Sequence, residues 1–313
     1  MTVYPLKMKP YFRHGSETPW GGGKLRELFN KEIPDDMTGE SLEISALPGR
    51  ESVIVNGELS GKTLTEAEDV MGAELLGEFK EFPLLLKLLD AKERLSVQVH
   101  PDDEYAARVE GKRGKTEAWY ILNADPGAKL VFGVKAKSSE ELRQIVASGH
   151  IEDTLNWIDV RPGDCLYIQS GTVHAIGGGI VLYEIQQSSD VTYRMWDWGR
   201  PREIHTQKAL DVTRCDIVTR PVEPQTTEVM GGERISLIDG DFFKLTRLNV
   251  MGRMPVEADS FALITALGEG AIEYDGGSVL VHNGESVLIP AAMHDFMVSG
   301  HLTVLMSEPG GRC

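Results

Sequence analysis

The sequence predicts a mainly β protein, with two successive clusters of short strands and a few small helices inserted between them. Three observations carry this. The 33 glycines and 15 prolines fall mostly between short apolar runs, as turn residues do in chains of many strands. The strand-like runs form two groups, from about Leu42 to Arg194 and from Phe242 to Leu305. Four segments alone carry helical spacing. All-β clusters with this turn spacing pack as sandwiches or jelly rolls.

Taken in order, the first helix is predicted over Leu64–Phe79, where apolar residues recur at helical intervals. A short helical turn follows at Glu104–Glu110. The third helix is read over Ser138–Leu155, opening on Ser-Ser-Glu-Glu with Ser139 as the N-cap. The fourth is Thr206–Val212. Strands of the second cluster are read in Phe243–Leu248, Ser260–Ala266, Gly270–Tyr274, Ser286–Ile289 and Leu302–Met306. The proline-rich polar stretch Arg220–Gly232 reads as a linker. It divides the chain into a first unit of residues 1–219, with an N-terminal extension and the helical inserts, and a second unit of residues 233–313.

Composition narrows the function. Lys and Arg total 32 against 48 Asp and Glu, a net charge of −16 over 313 residues. Nucleic acid and anionic membranes are poor partners for such a chain, because counterion release needs basic faces. An anionic substrate requires a site locally positive against the global field. No apolar run approaches the roughly 20 residues of a membrane helix. The N-terminus carries no signal-peptide stretch. Cys165, Cys215 and Cys313 are odd in number and share no CxxC spacing, which points to a reducing, cytoplasmic setting without disulfides.

Two segments share a pattern: Gly163-Asp-Cys-Leu-Tyr-Ile-Gln-Ser-Gly171-Thr-Val-His174 and Gly284-Glu-Ser-Val-Leu-Ile-Pro-Ala-Ala-Met-His294. Each runs from glycine and an acid through a strand to a turn and a histidine. This resembles the second half of the cupin motif and implies two tandem cupin-type jelly-roll barrels with small helical inserts. In Ser96-Val-Gln98-Val-His100-Pro101, alternation puts Ser96, Gln98 and His100 on one face. Buried unpaired, such polar groups cost about 1–3 kcal/mol each, so they need partners. Lys115, Glu117 and Trp119 share a face of the next strand, and His174 follows the Gly171 turn. Gln98, His100, Glu117 and His174 fall where a cupin barrel places its ligands. This nitrogen and oxygen set suits a borderline divalent ion, most often zinc, one per chain. With one carboxylate the site keeps a charge of about +1, acts as a Lewis acid and attracts an anion. The second barrel has no counterpart to the Gln-Val-His and Lys-Thr-Glu segments, and His294 alone cannot hold a metal. His14, His150, His205, His282 and His301 read as surface or structural.

The chain resembles the type I mannose-6-phosphate isomerases of the short bacterial form. The carrying segments are Pro19-Trp20-Gly-Gly22, Gly39 to Ser45, Phe82 to Lys87, Leu95 to Asp103 (LSVQVHPDD), Gly114 to Ile121 (GKTEAWYI), Gly163 to His174 and Glu184 to Arg194. They come in family order. Leu42 departs from the tryptophan common in relatives. The resemblance implies that Gln98, His100, Glu117 and His174 bind zinc, that Arg194 is the catalytic arginine, and that Lys87, Lys115 and Glu184 line the pocket. It implies interconversion of mannose 6-phosphate and fructose 6-phosphate. Ser96 and Trp20 join Lys87 as expected substrate contacts, with core packing the alternative for Trp20. Such an isomerase needs an electrophile at two oxygens and a base at two carbons. Glu184 is the first candidate base, unless it merely pairs with Arg194. Lys115 is the second, if nearby zinc depresses its pKa; otherwise it binds phosphate or neutralises Glu117. Lys87 is expected to help hold the phosphate as a partly exposed charge. The competing readings are another metal-dependent cupin enzyme, a dioxygenase or a sugar-phosphate isomerase of other specificity, and a non-enzymatic sugar-binding bicupin. The expected assembly is a monomer or weak homodimer.

Overall fold

The computed structural model describes residues 2–312, so Cys313 lies outside the described residues. Strands are distributed over antiparallel sheets of ten, six and five, with no continuous closed barrel among the described residues. In the six-stranded sheet the order is Cys165–Ile168, Glu117–Ala124, Ile180–Gln187, Leu84–Ala91, Glu40–Ile44 and Tyr11–Arg13. The five-stranded sheet runs Tyr193–Trp196, Val97–Val99, His174–Ala175, Lys129–Val134 and Leu155–Asp159. The two pack face to face over a core that includes Leu89, Trp119, Ile121, Leu130, Phe132 and Leu182.

The remaining sheet belongs mainly to the C-terminal unit, but it takes in Leu6–Lys9 and Val53–Ile54 from the N-terminal third. Phe243–Glu257 and Asp295–Pro309 pair along all 15 residues. Sequence reading saw only parts of each, because Gly252 and Pro255 read as turn residues and pairing overrides that local preference. In the stretch read as a linker, Gln225–Val229 forms an exposed edge strand against Gly232–Asp239.

The strand Leu84–Ala91 is buried on both faces, which explains its near-continuous apolar run. Leu84, Leu86 and Leu88 pack with Phe243, Leu245, Phe261 and Leu305 of the C-terminal unit. Leu85, Lys87 and Leu89 face a cleft on the other side. Tyr183, on the neighbouring strand, bridges the units through a 2.8 Å hydrogen bond between its hydroxyl and that of Ser307. The C-terminal unit thus backs the sheet that carries the site.

Helices follow the sequence with local corrections. The segment Leu64–Phe79 is two helices, Leu64–Met71 and Ala73–Leu76, interrupted by Gly72 at φ +52°. Ser138, not Ser139, caps the helix Ser139–Ser148, its hydroxyl accepting from the Glu141 amide at 3.2 Å. That helix ends at Gly149, and a separate turn, Ile151–Thr154, precedes the strand. Asp103–Glu110 and Thr206–Val212 lie where their spacing put them. Lys24–Phe29 is an additional short helix that carried no clear spacing signal. Cys165 and Cys215 are free thiols. Among the described residues, no helix is long and apolar enough to cross a membrane.

Candidate metal centre and active-site cleft

The two facing sheets bring the predicted residues together from opposite sides. Glu117, Glu184 and Lys87 come from the six-stranded sheet; Gln98, His174 and Arg194 come from the five-stranded one. Gln98 sits in register with both His174 and Arg194, so three strands converge on one point. Two glycines make this possible. Gly171, at φ +87°, turns the chain into His174 and donates its amide to the His100 carbonyl at 2.8 Å. At Gly39 a Cβ would lie 2.5 Å from the Trp20 ring, so the absence of a side chain lets that ring pack against the backbone.

Ligand-type atoms of His100, Glu117 and His174 all lie within 4.8 Å of one another, in residues that are fully buried. His174 Nε2 is 3.3 Å from Glu117 Oε1, and His100 Nε2 is 3.6 Å from Oε2. Each ring is oriented from behind. His100 Nδ1 donates to the Val191 carbonyl and His174 Nδ1 to that of Thr172, both at 2.9 Å. This leaves both Nε2 lone pairs aimed inward. His100 Nε2 and both Glu117 oxygens are buried without a hydrogen-bond partner, although Lys115 Nζ forms an ion pair with Oε2 at 2.9 Å. Burial lowers the pKa of His174 to about 4 and holds His100 well below its ordinary value, so both rings are neutral. Burial raises Glu117 to about 7 against the pull of Lys115. Neutral imidazoles and an under-satisfied buried carboxylate fit a divalent cation. Gln98 Nε2 approaches His174 Nε2 at 3.3 Å, and a half-turn of that amide exchanges nitrogen for oxygen toward the same point.

Above the cluster opens a cleft of about 260 Å³, near the lower end of ligand-sized pockets (about 300–1,000 Å³). Trp20, Lys87, Ser96, Gln98, Lys115, Glu184 and Arg194 all line it. Its charged lining is six cations against four carboxylates, a local excess of positive charge in an acidic chain. Ser96 Oγ lies 3.4 Å from Gln98 Oε1.

Residues 10–126 match the phosphomannose isomerase type I catalytic domain, and residues 233–309 match the mannose-6-phosphate isomerase cupin domain. The chain belongs to the type I phosphomannose isomerases. It is 39% identical over 303 residues to the mannose-6-phosphate isomerase of Streptococcus mutans, covering 92% of this chain and 94% of that one. The mannose-6-phosphate isomerase ManA of Bacillus subtilis is 35% identical over 319 residues, 98% of this chain and all of the relative. A crystal structure of the mannose 6-phosphate isomerase from Bacillus subtilis superposes with a TM-score of 0.91 at 36% identity, covering 97% and 99% of the two chains.

Charges inside this isomerase depart from the sequence readings in two places. Lys87 is buried rather than partly exposed, with Nζ 2.9 Å from Glu184 Oε1 and 3.9 Å from Glu40 Oε2. Glu184 pairs with Lys87, not with Arg194, and its Oε2 accepts from the Trp119 indole at 2.9 Å. Burial works against ionisation of Glu184, but Lys87 and Lys115 outweigh it and hold the carboxyl at about 2. Burial likewise opposes charge on Lys115, yet Glu117 and Glu184 raise its pKa above the ordinary lysine value.

Six charged cleft residues carried no assignment from sequence: Arg13, Glu17, Glu40, Arg50, Asp190 and Arg202. Glu40 pairs with Arg13 at 3.0 Å, and Arg50 stands at the rim, 3.3 Å from Glu17. Arg202 reaches the cleft because buried Asp197 grips it at 2.6 and 2.8 Å. Glu40 lies inside the recognised Gly39–Ser45 block, so a signal existed. Arg13, Arg50 and Arg202 sit in segments with no local pattern. His205, read as surface or structural, accepts a hydrogen bond from the Arg194 amide at 3.1 Å.

Proposed function

We propose that the chain interconverts D-mannose 6-phosphate and D-fructose 6-phosphate through an enediol, with one zinc ion held by Gln98, His100, Glu117 and His174. The observation that carries this reading is the buried convergence of two neutral imidazoles and an under-satisfied carboxylate beneath a cation-rich cleft. The reading agrees with the names of two bacterial relatives, mannose-6-phosphate isomerases 39% and 35% identical to this chain. Zinc bound there supplies an electrophile that polarises the substrate carbonyl.

The chain's own groups divide the proton work. Environments that push two pKa values apart mark an acid and a base. Glu184 is ionised and lines the cleft; each oxygen uses one lone pair, on Lys87 and Trp119, and keeps another to accept a proton from a substrate carbon. Lys115, whose Nζ lies 2.9 Å from Glu117 Oε2 and which lines the cleft, is the group that donates to a substrate oxygen. Arg194 faces the cleft with its Nε buried and unpartnered, a donor free for charge that develops on the enediolate. Lys87, Ser96 and Trp20 line the same cleft as substrate contacts. Residues 1–219 form the catalytic unit, residues 233–313 support it, and the enzyme works in the cytoplasm as a monomer or weak homodimer.

The test is metal content of the purified chain, with turnover of mannose 6-phosphate, fructose 6-phosphate and free mannose before and after chelation. Zinc near one per chain, with activity on the phosphorylated sugars lost on chelation and restored by zinc, is the expected result. Full activity in metal-free protein overturns the metal assignment, and inactivity on both sugar phosphates overturns the substrate.

A further inference from the structure

The backbone and side chain of Arg194 are gripped by one short segment, residues 203–205. The Arg194 guanidinium donates through Nη1 to the Glu203 carbonyl at 2.7 Å. The His205 amide donates to the Arg194 carbonyl at 2.7 Å. The third contact is unusual: the Arg194 amide donates not to a backbone carbonyl but to His205 Nδ1, at 3.1 Å. The strand Tyr193–Trp196 is irregular between Arg194 and Trp196, so the ring nitrogen takes a donor that regular pairing does not.

We infer that His205 is a positioning residue for Arg194, its unprotonated Nδ1 fixing the strand geometry that aims the guanidinium into the cleft. This rests on the role proposed for Arg194 above.

Chemistry sets a condition on the contact. Nδ1 can accept only in the neutral ring with hydrogen on Nε2; a protonated ring offers two donors and no acceptor. Protonation would set an N–H against the Arg194 N–H and place a cation beside the guanidinium. The groups that face the ring are Glu203, whose carboxylate is 3.8 Å from Nε2, Arg194 and Tyr193 on the strand, Lys208 on the following helix, and Glu110 on the helix Asp103–Glu110. Glu110 is already engaged by Lys208 at 2.7 Å and by the Tyr193 hydroxyl at 2.9 Å. Burial, with Arg194 and Lys208, outweighs the two carboxylates and keeps the ring neutral near pH 7. His205 is also the N-cap of the helix Thr206–Val212, a position that asparagine suits.

The experiment compares His205→Leu, which removes the acceptor, with His205→Asn, whose amide oxygen stands near the Nδ1 position and cannot be protonated. Arg194→Ala and the Arg194→Ala/His205→Leu pair complete the set. Loss of aim without loss of the group costs on the order of 10- to 100-fold in kcat. His205→Leu is expected to lose that much with KM and zinc content little changed. His205→Asn is expected to recover most of it and to lose part of the acid-side fall in kcat. The double variant should be no slower than Arg194→Ala alone, since both changes act through one group. Should His205→Leu fail to fold, the acid limb of His205→Asn decides. The inference is overturned by wild-type kcat in folded His205→Leu, by His205→Asn no better than His205→Leu, or by an unchanged acid limb in His205→Asn. A fully active Arg194→Ala instead overturns the role given to Arg194, which separates that failure from this one.

Discussion

Replacing Lys87 by methionine should cost this protein more in stability than any surface substitution. Lys87 Nζ is 2.9 Å from Glu184 Oε1 and 3.9 Å from Glu40 Oε2, and all three side chains are less than 10% exposed. Methionine keeps the volume and removes the charge, leaving two carboxylates in a site with low water access. Breaking a buried pair from one side costs roughly 3–5 kcal/mol. At about 2 °C per kcal/mol for a chain of this size, the melting temperature should fall by about 6–10 °C near pH 7. Lys87 also helps depress the Glu184 pKa to about 2, below the usual carboxylate value in the unfolded chain. A depressed carboxylate contributes stability that is present above about pH 4.5 and is lost as pH falls toward 2. Without Lys87 that contribution shrinks, so the deficit of the variant should be greatest at pH 7–8 and narrow as pH falls below about 5. Thermal melts of wild type and Lys87→Met from pH 8 to pH 4 measure this. Adding Glu184→Gln should return much of the loss, because a neutral amide no longer needs the cation. Salt should matter little, since a buried pair is poorly screened. An unchanged melting temperature at pH 7, or a loss that Glu184→Gln does not ease, would refute the argument that buried charge pairing organises this cleft.

Other changes read the chemistry directly. His100→Ala, Glu117→Ala and His174→Ala should each lose bound zinc and nearly all activity, whereas Gln98→Ala should retain more of both because water replaces a neutral ligand; metal analysis alongside turnover separates them, and full zinc in Glu117→Ala would sink the ligand assignment. Arg194→Ala should lower kcat by about 10²–10³ while sparing substrate binding and fold, with little recovery in Arg194→Lys; equal losses in binding and melting temperature would make it a structural residue. Glu184→Gln should lower kcat by about 10²–10⁴ with KM little changed, and a kcat within threefold of wild type would remove Glu184 as the proton acceptor.

Much of the candidate site was legible because its residues announce themselves locally. Alternation along Ser96–His100 and Lys115–Trp119 put the polar groups on shared faces, and the facing sheets bring those faces together. The single lysine in Phe82–Leu89 was readable as a cleft residue, since an apolar strand buried on both sides has no solvent face for it. Residues that act through non-local partners gave no such signal. Asp197 and Arg202 form their grip across a loop, and the His205 contact depends on an irregular strand.

Sequence by itself determined the mainly β architecture, the two strand clusters, the polar residues that gather at the candidate metal centre and the family. These follow from the period of side chains along a strand and from motifs a few residues long. Only the tertiary structure decided which charges meet. It set Lys87 between Glu184 and Glu40, gave Glu184 Lys87 and Trp119 as its partners, and backed the six-stranded sheet with the C-terminal unit. It also drew Leu6–Lys9 into the distant sheet through pairing of Leu6 with Leu288. The reason is physical. A side chain's face is fixed by its nearest neighbours along the strand, whereas its partner and its pKa depend on how two sheets approach and exclude water, and that distance is written in no single segment.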